Sequence, residues 1–292
     1  MIKVKLNNGV EMPIIGLGSY KATDFEQAKN AVVYALHNGY RHLDTAAFYR
    51  NEDIIAAAIR ESGVPRDEIF ITSKVWVDAI EEGRTKDSFE ASLRRLDTDY
   101  VDLFLLHWPV SREHNLKAWR VLEGLYKEGR IRAIGVSNYK EKHLDELMKE
   151  AEIMPAFDQV ELHPDLTQDA IYEYCRSKNI QLGAWSPLGG QKKDAGSLFR
   201  DPTLMKLAEK YGKSVAQVII RWNVQRGIVV IPKSVHEERI KANIDVFDFE
   251  ISKEDMKVIG AMNEDNRLDK DPDIFMDYWH NKPEEEKTYT IY

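Results

Sequence analysis

Short apolar segments alternate with amphipathic segments along most of the chain. The apolar segments have the length and the flanking residues of strands, and eight of them are candidates: Ile14–Gly18, His42–Thr45, Ile69–Lys74, Val101–His107, Ala133–Val136, Phe157–Val160, Gln181–Trp185 and Ile228–Ile231. Helical patterns lie between them. In one, Asp24–Asn38, apolar residues recur on a single face and Gly39 follows as a stop signal. Near the N-terminus, Ile2–Leu6 and Val10–Met12 flank an Asn-Asn-Gly turn, which predicts a β-hairpin.

The repeated strand–helix order predicts an α/β fold. Eight such units in 292 residues, without a linker or a low-complexity stretch, favour a (β/α)8 TIM barrel that forms one domain over residues 1–292. An open, doubly wound sheet is the alternative, and that fold usually has a glycine fingerprint after its first strand. Here Gly16-Leu17-Gly18 is followed by Ser19-Tyr20-Lys21, so the fingerprint G-x-G-x-x-G is not completed.

Composition and charge exclude several classes of partner. The formal net charge is -8 with both signs interspersed, which disfavours nucleic-acid binding. No apolar run is long enough to span a bilayer, and the N-terminus lacks a signal-peptide pattern, so we expect no membrane association. The single cysteine, Cys175, fits a reducing cytoplasm, and we expect it to be a buried, inert thiol on a helix. The eight histidines are scattered, so no metal site is predicted.

Polar and aromatic side chains stand where the predicted strands end. In a barrel of this kind the active site forms at those ends. The residues are Asp44, Tyr49, Lys74, His107, Trp108, Pro109, Ser137, Asn138, Gln159, Glu161, Trp185, Ser186, Lys233 and Ser234. Each one alone could be structural, as an ion pair, a core histidine or a packed aromatic ring. The convergence of four titratable groups on one rim indicates a functional site instead.

Four of these residues suggest a specific chemistry. A phenol titrates near ~10, and a neighbouring ammonium would lower that pKa, so Lys74 is expected to tune Tyr49. Asp44 would hold the ammonium in its charged form. His107 could donate a hydrogen bond to a carbonyl oxygen. The set suits proton donation to an oxygen that gains charge, as happens when a hydride is transferred to a carbonyl.

Seven sequence stretches carry a family resemblance that extends over almost the whole chain: GYRHLDTAAFYRNE (39–52), ITSKVW (71–76), VDLFLLHWP (101–109), IRAIGVSN (131–138), QVELHP (159–164), AWSPLG (184–189) and IPKS (231–234). With these motifs the sequence resembles the aldo-keto reductase superfamily. The short loop after His107-Trp108-Pro109 is similar to the bacterial and protist branch that includes glyoxal and diketogluconate reductases.

The resemblance implies a reductase that converts aldehydes or ketones to alcohols with NADPH. Asp44, Tyr49, Lys74 and His107 match the catalytic tetrad, with Tyr49 as the general acid. The implied cofactor contacts are Ser137, Asn138 and Gln159 for the nicotinamide carboxamide, Trp185 for ring stacking, Ser186 and Leu188 for the pyrophosphate, Lys233, Ser234 and Arg239 for the 2′-phosphate, and Asn243 near the adenine. Ala242 precedes Asn243 where many members of the family have glutamate.

The predicted substrate pocket is an aromatic cleft formed by Tyr20, Phe48, Trp76 and Trp108, and the alternative is that these rings only pack the barrel rim. Tyr20 stands where mammalian members commonly have tryptophan. The resemblance places a C-terminal loop, within residues 265–292, at the border of the active site, and makes a monomer the default expectation. Two other functions stay open: a Schiff-base lyase that uses Lys74 as its nucleophile, and a non-catalytic, cofactor-bound subunit.

Overall fold

Eight parallel strands lie in chain order around a barrel. The computed structural model describes residues 2–190, 197–283 and 287. The barrel strands are β3 (Leu17–Gly18), β4 (His42–Asp44), β5 (Phe70–Val75), β6 (Val101–Leu106), β7 (Ile131–Ser137), β8 (Phe157–Glu161), β9 (Gln181–Trp185) and β10 (Val229–Ile231). They are preceded by a hairpin of β1 (Lys3–Lys5) and β2 (Glu11–Pro13). Each barrel strand from β3 to β10 pairs in parallel with the next one along the chain.

Backbone hydrogen bonds join the first barrel strand to the last. The amide of Gly16 donates to the Val230 carbonyl at 2.9 Å, and the amide of Val230 donates to the Ile14 carbonyl at 2.8 Å. Further along, the amide of Gly18 donates to the Pro232 carbonyl at 3.1 Å. The predicted TIM-barrel fold class is therefore confirmed, and the open-sheet alternative is wrong.

Helices lie between the strands. They are α1 (Phe25–His37), α2 (Glu52–Ser62), α3 (Val77–Glu81), α4 (Thr85–Leu96), α5 (Arg112–Lys127), α6 (Glu141–Met148), α7 (Asp169–Ser177), α8 (Pro202–Tyr211), α9 (Val215–Gln225), α10 (Glu237–Ile244), α11 (Lys253–Gly260) and α12 (Phe275–His280). Helix α5 begins three residues after Pro109, so the preceding loop is as short as the sequence indicates. Within the described residues, no helix combines the length and apolar character needed to cross a bilayer.

The predicted elements differ from the observed ones mainly at their ends. Helix α1 begins after Asp24, whose carboxylate caps it by accepting from the Gln27 amide at 2.8 Å, and Asn38 is its C-cap. The first barrel strand is shorter than predicted, since only Leu17–Gly18 pair with β4. The preceding residues turn to the opposite neighbour, where Ile15 bridges to Val230. The predicted thiol on α7, Cys175, is fully buried, and that burial raises its pKa.

The barrel floor is apolar and the N-terminal hairpin covers it. Side chains from the hairpin and from, or directly before, five of the barrel strands form one buried cluster: Leu6, Met12, Phe70, Leu103, Leu105, Ala133, Ala156, Phe157, Val229 and Ile231. Successive side chains of a strand point alternately into and out of the barrel. The inward-facing residues near the carboxyl ends of the strands therefore lie at the end of the barrel opposite the hairpin. The packed floor thus leaves the carboxyl ends of the strands as the end where polar side chains collect.

Candidate active site

Three of the four predicted tetrad residues form a hydrogen-bonded group at the carboxyl ends of β4 and β5. The ammonium Nζ of Lys74 donates to Asp44 Oδ1 at 2.6 Å and to the Thr45 carbonyl at 2.9 Å, and it lies 3.5 Å from Tyr49 Oη. An ammonium has three N–H donors, and three acceptors surround this one. The structure therefore brings Asp44, Tyr49 and Lys74 together. As an ammonium, Lys74 has no nitrogen lone pair with which to act as a nucleophile.

The local fold explains why these side chains meet. Asp44 and Lys74 point into the barrel from neighbouring strands, and the pairing of Asp44 with Thr72 sets their register. Tyr49 lies on a single helical turn, Ala47–Tyr49, directly after β4. Arg50 ends that turn in the left-handed conformation, with φ of 55°. Because this turn is short and directly follows β4, the phenol of Tyr49 lies close to the carboxyl end of that strand.

The pKa of Tyr49 depends on its burial and on the charges around it. Its pKa is raised well above the ordinary value, because burial disfavours the phenolate and because the carboxylate of Asp44 repels it. Lys74 lies beside the phenol, and the expected effect of its charge on Tyr49 stays a prediction, since burial and Asp44 set the net direction of the shift. Burial also lowers the pKa of Lys74, while the Asp44 carboxylate opposes that shift. Tyr49 is consequently a protonated phenol at neutral pH.

His107 completes the group from β6. Its ring lies 5.6 Å from the Tyr49 ring and 4.9 Å from that of Trp76, both in edge-to-face geometry. Burial, followed by the charge of Lys74, holds the pKa of His107 well below its usual value, so the imidazole is neutral. One ring nitrogen, Nδ1, is buried with no hydrogen-bond partner among the described residues. A neutral imidazole can still donate one hydrogen bond through a protonated nitrogen.

Aromatic side chains surround the tetrad, and the four predicted pocket residues occupy different places among them. Phe48 stacks on Trp76 with ring centroids 3.8 Å apart, directly beside His107. Tyr20 is 48% exposed at the mouth, 5.0 Å from the Tyr49 ring. Trp108 is only 5% exposed, because its ring lies parallel to that of Phe275 at 3.9 Å. Trp108 thus joins the rim to the C-terminal helix.

The C-terminal segment borders the site, as predicted, although part of it is the short helix α12 rather than a loop. Trp279 contacts Trp76 edge to face at 5.1 Å, and its indole nitrogen donates to Asp78 Oδ1 at 2.7 Å. Phe275 and Trp279 belong to the same buried cluster as Trp76 and Trp108. Residues 284–286 and 288–292 of the predicted border lie outside the described residues.

The residues predicted for the nicotinamide end adjoin the tetrad. Gln159 Nε2 donates to Asp44 Oδ2 at 2.7 Å, so β8 reaches the tetrad from across the barrel. Trp185 Nε1 donates to Asn138 Oδ1 at 2.9 Å, which fixes the partly exposed indole ring. Ser137 Oγ donates to the Gln159 carbonyl at 2.7 Å. The four residues are thus one connected network.

The network is compatible with a nicotinamide carboxamide in one specific respect. The amide oxygen of Gln159 accepts no hydrogen bond from the described residues, although the amide nitrogen is engaged by Asp44. An unused acceptor next to the tetrad suits the amide N–H of a carboxamide. Asn138 differs, because its nitrogen already donates to the His107 carbonyl and its oxygen accepts from Trp185.

The residues predicted for the phosphate end lie on the connections after β9 and β10. Ser186 has a left-handed backbone with φ of 47°, and Leu188 is half-buried against the core. Lys233 is half-buried with no carboxylate within ion-pair distance among the described residues, and its pKa is lowered by burial and by the charge of Lys21. Two neighbouring cations, Lys21 and Lys233, suit a phosphate.

The remaining predicted residues of this end are on or just before α10. Arg239 is exposed and forms no ion pair with a described residue. Ser234 and Asn243 are buried, and Ser234 Oγ accepts from the His236 amide at 3.1 Å. Arg239 is thus exposed to solvent on α10, close in sequence to Lys233, whereas Asn243 is buried.

Two further residues tie the site together: Asn51, which was not predicted from the sequence, and Glu161, which the sequence indicates only as a residue at the end of a strand. Asn51 is buried; its amide nitrogen donates to the Ser19 and Ala22 carbonyls at 2.8 and 3.1 Å, and its oxygen accepts from Thr45 Oγ1 at 2.7 Å. Glu161, at the end of β8, is also buried. Asn51 is part of the FYRNE motif and Glu161 is part of QVELHP. The motifs show that both residues are polar, but the sequence does not show which groups they bind in the fold.

A sequence model described as the Aldo/keto reductase family matches residues 14–264. Curated proteins with full-length similarity include the glyoxal reductase of Bacillus subtilis, which is 52% identical over 270 residues, covering 92% of this chain and 96% of that protein. The methylglyoxal reductase DkgA of Escherichia coli is 41% identical over 273 residues, covering 93% and 97%.

Solved structures agree in both fold and extent. An aldo-keto reductase from a deep-sea metagenome library superimposes with a TM-score of 0.89 at 44% identity, covering 92% of this chain and 98% of that chain. A Bombyx mori aldo-keto reductase, crystallised in complex with NADP, superimposes with a TM-score of 0.88 at 33% identity and covers 97% of both chains. The sequence similarity and the shared barrel extend together over nearly the full length.

Proposed function

Since the chain belongs to the aldo/keto reductase family, we propose that it reduces an aldehyde or a ketone to an alcohol with NADPH, using Tyr49 as the proton donor. The single observation that carries the proposal is the buried group in which Lys74 Nζ lies 2.6 Å from Asp44 and 3.5 Å from Tyr49. A protonated phenol beside an ammonium is suited to give a proton to an oxygen that develops negative charge.

Each tetrad residue has a separate role in the proposal. Bound NADPH would supply the hydride that adds to the carbonyl carbon. Tyr49 gives its phenolic proton to the carbonyl oxygen. Lys74 stabilises the phenolate that remains, and Asp44 holds Lys74 in its charged form and in place. His107, neutral because of its burial, donates a hydrogen bond to the same oxygen and orients it.

The cofactor would lie across the carboxyl ends of β7 to β10. We assign its carboxamide to Ser137, Asn138 and Gln159, and its nicotinamide ring to the face of Trp185. The proposal puts the pyrophosphate at Ser186 and Leu188, the 2′-phosphate at Lys233, Ser234 and Arg239, and the adenine near Asn243. Among the residues that the structure describes, Lys233 has no carboxylate within ion-pair distance and the amide oxygen of Gln159 accepts no hydrogen bond, and both observations support this assignment because the cofactor could provide each partner.

The substrate would enter the aromatic cleft at Tyr20, Phe48, Trp76 and Trp108. Small 1,2-dicarbonyls are the first class to test, because two relatives with full-length similarity are named as glyoxal and methylglyoxal reductases. The stacked Phe48–Trp76 pair beside His107 gives the carbonyl group an apolar surrounding. Burial of this kind strengthens the hydrogen bonds made to the carbonyl oxygen.

Oxidation of the nicotinamide cofactor in the presence of a carbonyl panel tests the proposed function. The panel includes glyoxal, methylglyoxal, aromatic aldehydes and ketones, each with NADPH and with NADH. We expect turnover with NADPH for at least one small aldehyde. The absence of turnover with every member of the panel, or a preference for NADH, would contradict the proposal.

Arg239 allows the 2′-phosphate assignment to be tested separately. Replacing it (Arg239→Ala) should weaken NADPH binding by about 10-fold or more, the effect of losing a charge-assisted hydrogen bond, and leave NADH binding nearly unchanged. Fluorescence titration with each cofactor measures this. An equal loss for both cofactors would show that Arg239 does not contact the 2′-phosphate.

A further inference from the structure

A buried carboxylate between β5 and α4 has no part in the chemistry proposed above. Glu52, the first residue of α2, is fully buried. Its Oε1 accepts from Ser73 Oγ at 2.6 Å, and its Oε2 accepts from Arg95 Nε at 2.8 Å and lies 2.7 Å from Arg95 Nη2. A charged side chain is stable away from water only when such partners replace its hydration. The start of α2 is therefore bonded to β5 on one side and to α4 on the other.

The β5 partner of Glu52 is the residue directly before the tetrad ammonium. Successive side chains of a strand point to opposite faces, so Lys74 points into the barrel while Ser73 points outward to the helices. One side of the strand thus carries the ammonium, and the other side carries the hydroxyl that binds Glu52. Any shift of the backbone at Ser73 would also move Lys74.

The connection that carries Tyr49 is attached to β5 at both of its ends. At its beginning, the Thr45 amide donates to the Thr72 carbonyl at 2.9 Å. At its end, the Glu52 carboxylate accepts from Ser73 Oγ. The two attachment points are the two residues of β5 that precede the tetrad ammonium. The phenol is therefore fixed, from both sides, relative to the strand that carries its cationic neighbour.

The charge of Glu52 acts on the same ammonium. Burial lowers the pKa of Lys74, and the carboxylates of Asp44 and, more weakly, Glu52 oppose that shift. Arg95, whose side chain is 28% exposed, compensates the Glu52 charge from the side that faces solvent. Asp44 thus remains the direct partner of the ammonium, and Glu52 supports the ammonium from behind the strand.

We propose that Glu52 is a positioning residue that sets the distance between the Tyr49 hydroxyl and the Lys74 ammonium. Through Ser73 it fixes the connection of Tyr49 to β5, and so keeps the phenol at 3.5 Å from the cation that stabilises the phenolate after proton transfer. The inference rests on the proposed function, because it requires Tyr49 to be the proton donor. It gives a role in the reaction to a residue on the helix side of the barrel wall.

Single-turnover reduction tests this role, because it measures hydride and proton transfer without the steps that release products. The enzyme, saturated with NADPH, is mixed in a stopped-flow instrument with the carbonyl of the panel that turns over fastest, and the loss of NADPH absorbance gives the rate. Ser73→Ala leaves the Glu52–Arg95 pair intact and should lower that rate about 10-fold, the effect of losing a hydrogen bond to a charged group. The dissociation constant for NADPH should stay unchanged. Ser88→Ala, which removes another buried hydroxyl on α4, is the matched control and should keep the wild-type rate.

The solvent isotope effect distinguishes a positioning role from general destabilisation. If the phenol in Ser73→Ala is a poorer proton donor, its rate should fall more in D2O than the wild-type rate does, because proton transfer becomes a larger part of the barrier. A protein that is only less stable would show the wild-type isotope effect once it is fully folded.

A second variant, Glu52→Gln, tests the same contact from its other side. It should also lower the single-turnover rate about 10-fold, and the double variant Glu52→Gln/Ser73→Ala should be no slower than Glu52→Gln alone, because both changes act through one hydrogen bond. A wild-type rate and isotope effect in folded Ser73→Ala would overturn the inference, even if Glu52→Gln failed to fold. A wild-type protein that reduces no carbonyl would overturn the proposed function, and this inference with it.

Discussion

Neighbouring groups set the charge of each titratable side chain at the barrel mouth. Tyr49 is protonated because burial and Asp44 both oppose the phenolate, and His107 is neutral because burial and Lys74 both oppose the imidazolium. Lys74 has a carboxylate at 2.6 Å, which compensates for its removal from water. At neutral pH the site therefore contains one ion pair and two neutral hydrogen-bond donors, the combination that proton donation to a carbonyl oxygen requires.

His42, one layer below the tetrad, gives a pH dependence of stability. Burial, together with the charge of Lys74, lowers its pKa to about 3, while an unfolded histidine titrates near ~6.5. Between these values the unfolded chain binds the proton and the folded chain does not, so the free energy of unfolding falls as the pH falls below about 6.5. Urea unfolding at a series of pH values should show this loss.

The variant His42→Asn removes that titration. Its free energy of unfolding should depend less steeply on pH than that of the wild type, by up to one proton or roughly 1.4 kcal/mol per pH unit. The absolute stability of the variant will be lower, since Asn leaves space beside Thr72, and only the slopes are compared. Equal slopes would mean that His42 takes up its proton in the folded protein.

At the residue scale, the sequence predicted which four side chains the structure brings together at the barrel mouth, but not the raised pKa of Tyr49. Asp44, Tyr49, Lys74 and His107 could be found because they stand at strand ends, where a barrel collects functional groups. The pKa of Tyr49 depends on its burial and on the orientation of the Asp44 carboxylate, and neither can be read from sequence spacing. The roles of Asn51 and Glu161 depend on partners 29 or more residues away and were missed for the same reason.

At the scale of elements, Asn51 connects two loops of the active-site rim. It binds the Ser19 and Ala22 carbonyls of the connection after β3, which includes Tyr20 and Lys21. It also binds Thr45, whose carbonyl accepts from Lys74. A single buried amide thus holds the outer rim and the tetrad in one relative position.

The variant Asn51→Asp keeps the acceptor for Thr45 but loses both donors and adds a buried negative charge. We expect it to lower the free energy of unfolding by about 2 kcal/mol or more, since the Ala22 carbonyl loses its donor, the Ser19 carbonyl keeps only the Ala22 amide, and the added charge is buried. The Ala22 region should also exchange its amide hydrogens faster. Hydrogen exchange by mass spectrometry measures the second effect, with Asn30→Asp on the exposed face of α1 as the control. Unchanged exchange at residues 19–22 would show that the loop is held by other contacts.

Elements were easier to predict than their ends. The apolar periodicity of α1 identified its buried face, because Ala28, Ala31, Val32, Ala35 and Leu36 are buried as predicted. The first barrel strand was predicted too long, since the residues before Leu17 pair with β10 rather than β4. Closure of a barrel divides the first strand between two neighbours, and this division is a property of the closed sheet rather than of the local sequence.

At the scale of the whole molecule, the barrel connects residues that are far apart in the chain. Gly16 and Val230 join the first and last strands, and Gln159 reaches Asp44 across the barrel. The N-terminal hairpin closes the floor, while the C-terminal helix α12 packs on the rim at Trp76 and Trp108. Every part of the proposed site therefore depends on the closed barrel.

The prediction that residues 1–292 form one domain implies that the chain unfolds in one transition. The six tryptophans lie on different elements and report on tertiary structure throughout the barrel. We expect urea unfolding curves measured by tryptophan fluorescence and by far-ultraviolet circular dichroism to coincide. Separate midpoints for the two signals would contradict the prediction that residues 1–292 form one domain.

The replacement Tyr49→Phe tests the central claim, that Tyr49 donates the proton, most directly. It removes the phenolic hydroxyl and little else, and the proposed cofactor contacts lie mainly on β7 to β10. The account predicts that kcat for carbonyl reduction falls by at least ~10²-fold, the usual scale for the loss of a positioned general acid, while the dissociation constant for NADPH is unchanged. Tyr278→Phe, an exposed tyrosine on α12, is the control and should keep wild-type turnover. A Tyr49→Phe enzyme that binds NADPH normally and retains near-normal kcat would contradict the account.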